Sequence, residues 1–258
     1  MGKSGGSVSA LVLSLALLFP GISSIHLTAQ TVTGEVPHPT PMQAVQTHTG
    51  MTARNDREVL DVTVCGDSVI HVVARPVQAP APDAPRPWMR ANAQACPGAP
   101  FQFSQSGNQA VLTTARLTVS LSAEQGSLTF KTLQGERLVQ EYPNLARTYL
   151  PSEAKGLYHI EDRYLPDATE AIYGLGQHQS GLFNYRGSTV ELGQNNTDIA
   201  IPLLVSSKGY AIFWNSAAFS YVDNRFPLNL NFESMAHTEI MACTCSSCRV
   251  FNSAGTSV

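Results

Sequence analysis

The chain has few charged residues, and this scarcity narrows the kinds of partner it can have. Asp, Glu, Lys and Arg make up 14% of its 258 residues, against about 25% in typical soluble domains. The formal net charge is −3, and Lys and Arg are scattered, so no basic stripe offers itself to nucleic acid or to an anionic membrane. We therefore expect neither nucleic acid nor a membrane as a partner.

Long apolar runs are also lacking, and the one near the N-terminus is too short to cross a bilayer. Lys3 precedes an apolar run over residues 8–19, whereas a membrane-spanning helix needs roughly 20 apolar residues. A positive residue, a short apolar core and small residues near Ala29 are typical of a signal peptide. Residues 1–29 are predicted to be that signal, and the mature protein is predicted to be exported to the periplasm or the extracellular space.

Helical periodicity is absent after this segment, which excludes an alternating α/β fold. Residues 30–56 are rich in Thr, Pro, His and Gln with little apolar periodicity, and they are predicted to be a disordered linker. From residue 57, short runs of alternating apolar residues are separated by turn residues. This pattern predicts an all-β, antiparallel β-sandwich domain over residues 57–230.

Three parts of this domain show the pattern clearly. Gly66-Asp67 separates two valine-rich runs and predicts a β-hairpin. Residues 101–130 alternate repeatedly and predict an antiparallel meander. Residues 199–215 form two β-rich runs around a short turn, while the proline-rich residues 75–100 are predicted to be a surface loop.

The five cysteines fall into two groups with different interpretations. In an oxidising compartment Cys65 and Cys96 could form a disulfide, worth about 2–4 kcal/mol, although two buried free thiols are the alternative. Cys243, Cys245 and Cys248 have a spacing that suits zinc or copper, but a fourth ligand is missing. The sequence therefore predicts no metal site and no cofactor.

One ordered series of motifs resembles a known family. The motifs lie at residues 173–179 (YGLGQHQ), 184–187 (NYRG), 191–192 (EL), 196–197 (NT) and 209–215 (GYAIFWN). They resemble the N-terminal domain of glycoside hydrolase family 31, especially its α-xylosidase-like and α-glucosidase-like members. The resemblance implies a mutarotase-like β-sandwich that contacts a (β/α)8 barrel, with one loop reaching the sugar site.

The catalytic part of that family has no counterpart in this sequence. A retaining mechanism needs two carboxyl groups about 5–5.5 Å apart, and the family places both aspartates on a barrel of roughly 250 residues. We therefore expect no catalytic residue here and a missing barrel as the partner. Residues 231–258 are interpreted as an atypical tail, the product of a frameshifted or truncated reading frame.

The candidate sugar-binding residues come from the segment that carries the resemblance. Gly174 and Gly176 predict a tight turn between strands. The densest polar cluster has amides, a hydroxyl and a carboxylate that suit vicinal sugar hydroxyls, with a plain polar turn as the alternative; it consists of Gln194, Asn195, Asn196, Thr197 and Asp198. His178 could bind a sugar hydroxyl or cap local backbone, and Tyr185 could stack on a pyranose. Trp214 is predicted to be core.

These observations predict a carbohydrate-binding and support domain without catalytic activity of its own. It belongs to an exported retaining α-glycosidase of carbohydrate metabolism, acts only with its missing (β/α)8 barrel, and meets an α-linked oligosaccharide or a monosaccharide. The alternative is an independent sugar-binding or mutarotase-like sandwich, in which a His/Glu pair performs acid–base chemistry. His71, His159 and several glutamates could supply that pair.

Overall fold

The computed structural model describes residues 39–79, 96–153, 157–216, 218–226, 229–236 and 240–246. All of them fall in one unit of the chain, His38–Val258, and their regular elements are strands. Among these residues no helix is long and apolar enough to cross a membrane. The predicted signal peptide, residues 1–29, lies outside the described residues.

The strands follow one another along the chain with these bounds. The first nine are β1 (Gln43–Gln46), β2 (Gly50–Arg54), β3 (Glu58–Gly66), β4 (Val69–Pro76), β5 (Gln102–Ser106), β6 (Gln109–Thr113), β7 (Leu117–Ser122), β8 (Ser127–Thr132) and β9 (Arg137–Gln140). The remainder are β10 (Arg147–Pro151), β11 (Tyr158–Tyr164), β12 (Ile172–Gln177), β13 (Thr189–Leu192), β14 (Ile199–Ser206), β15 (Tyr210–Trp214), β16 (Ser220–Asp223), β17 (Leu230–Ala236) and β18 (Ile240–Ser246).

These strands form three antiparallel sheets. Sheet I has the order β1-β2-β3-β4-β18-β15-β14-β12, sheet II has β5-β6-β7-β8-β9, and sheet III has β10-β11-β17-β16-β13. The hairpin at Gly66-Asp67, the meander and the β14–β15 hairpin are present as predicted. The prediction of an all-β sandwich is confirmed.

Alternation of apolar and polar residues explains how the strands face the core. In β7, Leu117, Val119 and Leu121 are fully buried while the residues between them are half-buried, because successive side chains of a strand point to opposite faces. The core draws on all three sheets. At its centre the rings of Trp214 and Phe232 stack with centroids 5.3 Å apart, so Trp214 is a core residue, as predicted.

The predicted disordered linker is wrong over residues 43–54. These residues form β1 and β2, which pair with each other and add β2 to β3 at the end of sheet I. Met51 and Ala53 are buried on either side of half-buried Thr52, which is the alternation of a strand. The polar composition concealed this pattern because the two strands are short. Residues 30–38 lie outside the described residues.

The predicted boundary at residue 230 is also wrong, because part of the tail belongs to the sandwich. β17 begins at Leu230 and pairs with β11 and β16 in sheet III. The backbone of β18 lies between β4 and β15 in sheet I, so this strand joins the two halves of that sheet. The short spacing of its cysteines suggested a metal motif and concealed the strand pattern. The reading-frame interpretation stays a prediction.

A disulfide joins Cys65, in β3, to Cys96, with the two Cα atoms 4.2 Å apart. The N–H of Gly98 donates a hydrogen bond to the carbonyl of Cys65 at 3.2 Å. The two cysteines are separated by 31 positions in the sequence, and residues 80–95 of the predicted proline-rich loop lie outside the described residues. This link fixes the return of the chain beside the end of β3.

A buried ion cluster connects strands from different sheets. Arg147, at the start of β10, donates from Nε and Nη2 to the two carboxylate oxygens of Glu58 in β3, each at 3.0 Å. Its Nη1 donates to Glu141 at 2.5 Å. Burial raises the pKa of Glu141, and more strongly that of Asp162, which also faces the charge of Glu141. The guanidinium of Arg147 thus links sheets I and III. It is one positive charge among three buried carboxyl groups, those of Glu58, Glu141 and Asp162.

Candidate functional site

The glycine motif forms a β-bulge inside β12, so the predicted tight turn between strands is wrong. Gly174, Leu175 and Gly176 have φ values of +91°, +63° and +102°, and the pairing of β12 with β14 shifts register between the two glycines. A Cβ at Gly176 would lie 1.9 Å from the carbonyl oxygen of Ile199. The two glycines are therefore required for close approach of the neighbouring backbone.

The bulge shapes the start of the loop that follows β12. His178 Nε2 lies 2.8 Å from the carbonyl oxygen of Leu175, and its ring meets that of Tyr185 edge-on with centroids 6.1 Å apart. His178 is thus half-buried and bonded to local backbone. Of the two roles that the sequence allowed for it, this is the capping of local backbone and not the sugar contact.

The polar cluster between β13 and β14 is a tight turn that faces solvent. Asn195 and Asp198 form an antiparallel bridge, and the Asp198 N–H donates to the Asn195 carbonyl at 3.3 Å. Thr197 has φ +77°. Gln194, Asn195, Asn196 and Thr197 are exposed. We call residues 194–198 the polar turn; its amide groups are the part of the predicted site that is presented to solvent.

Gln179 connects the polar turn to the loop after β12, a contact that the sequence did not reveal. Its side-chain Nε2 donates to Thr197 Oγ1 at 2.7 Å, and its backbone N–H donates to Asp198 Oδ1 at 3.2 Å. In the sequence, the only indication that Gln179 belongs to this site is its position directly after His178 in the motif. The structure thus brings His178, Thr197 and Asp198 into one neighbourhood through Gln179.

Tyr185 is buried, so its predicted role as a stacking platform for sugar is wrong. It is 6% exposed and belongs to the hydrophobic core, and its N–H donates to the Ile172 carbonyl at 2.8 Å. The accessible aromatic ring nearby in the chain is that of Phe183, which is 83% exposed and lies 5.1 Å from the ring of Tyr173 between centroids. Aromatic character alone does not distinguish a core ring from an exposed one.

An exposed aliphatic stripe begins directly after the polar turn. Ile199, Ile201 and Leu203 alternate along β14 and are 51%, 49% and 38% exposed, whereas Leu204 on the opposite face is fully buried. Contiguous apolar surface of this kind commonly marks an interaction surface. We call these three residues the β14 stripe.

The two histidines of the alternative acid–base proposal lie in different sheets. His71 is in β4 of sheet I, and His159 is in β11 of sheet III beside Glu161 and Glu233. Of the cysteine cluster, Cys243 and Cys245 lie in β18, while Cys248 is outside the described residues. Among the described residues, the group that brings metal-binding side chains together is therefore the one around His159.

Comparison with known proteins confirms the resemblance found in the sequence. Residues 59–223 match the model of the glycosyl hydrolase 31 N-terminal galactose mutarotase-like domain. An α-xylosidase of Saccharolobus solfataricus is 33% identical over 122 residues, which cover 42% of this chain and 17% of that protein.

Two solved structures show the same fold over most of the chain. A family 31 α-xylosidase from a soil metagenome, complexed with xylose, has a TM-score of 0.69 at 22% identity and covers 80% of this chain and 32% of its own. A family 31 α-xylosidase from Xanthomonas citri has a TM-score of 0.56 at 28% identity, and the match covers 72% of this chain and 20% of that one. The chain spans less than a third of each relative. It belongs to the family of glycosyl hydrolase 31 N-terminal galactose mutarotase-like domains.

Proposed function

We propose that this chain is the non-catalytic support domain of an exported retaining α-glycosidase of the α-xylosidase or α-glucosidase type. It shapes a sugar site for an α-linked oligosaccharide or monosaccharide, and it does so only together with a (β/α)8 barrel. The similarity to α-xylosidases supports this proposal, as does the fraction of those proteins that the chain covers. The predicted signal peptide supports export.

The observation that carries the proposal is the position of the polar turn next to the β14 stripe. The turn presents exposed amides at Gln194, Asn195 and Asn196, which pair donors and acceptors in the way that vicinal hydroxyls require. Gln179 braces the turn through Thr197 and Asp198, so these groups are held in place before a sugar arrives. The stripe supplies adjoining apolar surface on which a barrel can dock.

The test is reconstitution of activity from separate parts. The full chain is co-expressed with the barrel portion of the Saccharolobus solfataricus α-xylosidase, and hydrolysis of an aryl α-xyloside is followed. We expect the chain to raise kcat/KM of the barrel portion. Asn196→Ala is expected to raise KM, since the turn contacts sugar, and Ile201→Asp is expected to abolish co-purification, since it charges the stripe.

Leu133→Asp is the matched control, because Leu133 is 50% exposed and Ile201 is 49% exposed, while Leu133 lies after β8 in sheet II, away from the stripe in sequence. Loss of co-purification in both variants would show that the stripe is not the docking surface. The independent mutarotase-like alternative is tested by polarimetry. Faster mutarotation of α-D-glucose by the chain alone would favour that alternative and count against a support role.

Export is tested by N-terminal sequencing of protein recovered from the periplasm or medium of expressing cells. A mature terminus near Gln30 is expected, because the small residues before it suit signal peptidase. Recovery of the chain with Met1 intact from the cytoplasm alone would contradict export.

A further inference from the structure

A cluster of three side chains lies on the solvent face of sheet III, on different strands from the polar turn and the β14 stripe. His159 and Glu161 are two positions apart in β11 and therefore share a face. Glu233 in β17 is directly opposite Glu161 in the antiparallel register. Two hydrogen-bonded strands thus fix the relative positions of one imidazole and two carboxylates.

Two of the three separations within this cluster are close to those of neighbouring metal ligands. His159 Nε2 lies 3.6 Å from Glu161 Oε1 and 3.2 Å from Glu233 Oε1, and the three ligand atoms lie within 4.8 Å of one another. A charge-assisted hydrogen bond would bring N and O to about 2.7–2.9 Å. Ligands held about 2.0–2.2 Å from a zinc ion in tetrahedral geometry are separated by roughly 3.3–3.6 Å.

Groups outside the cluster orient one of its carboxylates. Thr148 Oγ1 donates to Glu161 Oε2 at 2.8 Å, and Arg163 forms an ion pair with the same oxygen. Glu161 Oε1 is thereby directed towards His159. Hydrogen-bond partners such as Thr148 hold metal ligands in the required orientation in known sites.

We propose that His159, Glu161 and Glu233 bind a divalent cation, with Zn²⁺ preferred, and that water completes its coordination. An imidazole nitrogen favours Zn²⁺ or Co²⁺ over Ca²⁺ and Mg²⁺, which take oxygen ligands almost exclusively. The side chains of His159, Glu161 and Glu233 are 31%, 17% and 32% exposed, so an ion and its water can enter from solvent. The site does not depend on sugar binding or on a barrel.

The sequence alone did not reveal this cluster, because His159 and Glu161 give only a His-x-Glu pattern within one strand. Glu233 comes from a strand that is distant in the chain, so the third ligand is visible only once the register of β11 and β17 is known. The cysteine cluster that the sequence suggested lies partly in β18 of sheet I and is a separate group.

The experiment is a titration of the purified full chain with Co²⁺, followed by its d–d absorption, and then displacement of the Co²⁺ by Zn²⁺. One equivalent is expected, without a thiolate charge-transfer band. His159→Gln and Glu233→Gln are each expected to lower Zn²⁺ affinity at least about tenfold, and Thr148→Val to lower it by a smaller factor because it removes only an orienting group. His48→Gln is the control, since His48 is exposed and outside the cluster, and it should leave the affinity unchanged.

A second readout does not depend on any variant. Zn²⁺ added to the unmodified ¹⁵N-labelled protein should shift the ring signals of His159 before those of His48. The proposal is overturned if millimolar Zn²⁺ leaves the His159 ring signals unmoved, if a thiolate band assigns the ion to the cysteines, or if folded His159→Gln and Glu233→Gln both bind Zn²⁺ as tightly as the parent. Folding of each variant is checked by its thermal unfolding curve.

Discussion

Replacement of Arg147 by Met should destabilise the protein strongly, because this guanidinium is the partner of two buried carboxylates. Its side chain is 0% exposed, while those of Glu58 and Glu141 are 11% and 2% exposed. Removing one member of a buried ion pair costs about 3–5 kcal/mol, because the charge left behind loses its counter-ion. Glu58 and Glu141 would keep only neutral donors, the Tyr149 hydroxyl and the Leu128 N–H. Glu58 also lines a cavity of about 670 Å³. Water in that cavity can solvate its carboxylate, so Glu58 should contribute less to the loss of stability than Glu141 does. We expect the free energy of unfolding to fall by about 3–5 kcal/mol.

The assay is urea unfolding followed by far-UV circular dichroism at pH 7, with the disulfide kept oxidised. The loss should shrink in acid, because a protonated Glu141 no longer needs the guanidinium. The combination of Arg147→Met with Glu58→Gln and Glu141→Gln should recover at least half of the loss, since no unpaired charge then remains. Arg225→Met is the control, because Arg225 pairs with Asp223 in solvent and should change stability little. A change of less than about 1 kcal/mol for Arg147→Met would show that the guanidinium is not needed to balance the buried carboxylates.

Three further predictions follow from the same structure. Burial and the charge of Glu141 raise the pKa of Asp162 well above its ordinary value of 3.8, so the folded state keeps a proton that the unfolded chain releases; stability should fall as pH rises above about 4, and Asp162→Asn should flatten that fall in urea titrations between pH 5 and 8. Gly176→Ala should destabilise by at least about 1–3 kcal/mol and weaken any sugar binding at the polar turn, whereas Gly135→Ala, also at positive φ but with open space around it, should cost less in the same assay. Replacing Cys65 and Cys96 together by Ser should lower the free energy of unfolding by about 2–4 kcal/mol; an unchanged urea midpoint would mean that the link does not constrain the unfolded chain.

The strands that could be predicted from sequence are those whose pairing is local. The hairpin at Gly66-Asp67 and the meander of sheet II connect neighbours in the chain, so alternation and turn residues suffice to find them. β18 was missed because the short spacing of its cysteines suggested a metal motif, and because one of its two partner strands, β4, is far away in the sequence. β1 and β2 were missed because their few apolar residues are embedded in polar ones. In each case the segment is a strand because it pairs with other strands in the fold, although its own composition does not indicate one.

The exposure of the polar turn could be predicted from the sequence, whereas its contacts could not. The polar turn is recognisable as a dense group of amides and does face solvent. The glycine motif, by contrast, predicted a turn, and its bulge is recognisable only once the carbonyls of Ile199 and Leu203 are known to lie against it. The bracing contact of Gln179 depends on two loops meeting in space, and so does the cluster around His159.

The burial of Tyr185 is another feature that the local sequence could not predict. The sequence left Tyr185 as a possible stacking ring for sugar, because an aromatic side chain can cover the face of a pyranose. Its backbone is fixed against Ile172, which turns the ring into the core. A side chain's neighbours in sequence therefore did not predict its neighbours in space.

The proposal that this domain supports a sugar site without cleaving glycosidic bonds itself is tested by an assay of the purified full chain alone. The chain is incubated with an aryl α-xyloside, and release of the aryl group is followed against a buffer blank. No release above the blank is expected if the catalytic carboxylates belong to a separate barrel, as we propose. Release above the blank that grows in proportion to the concentration of the chain would contradict the proposal.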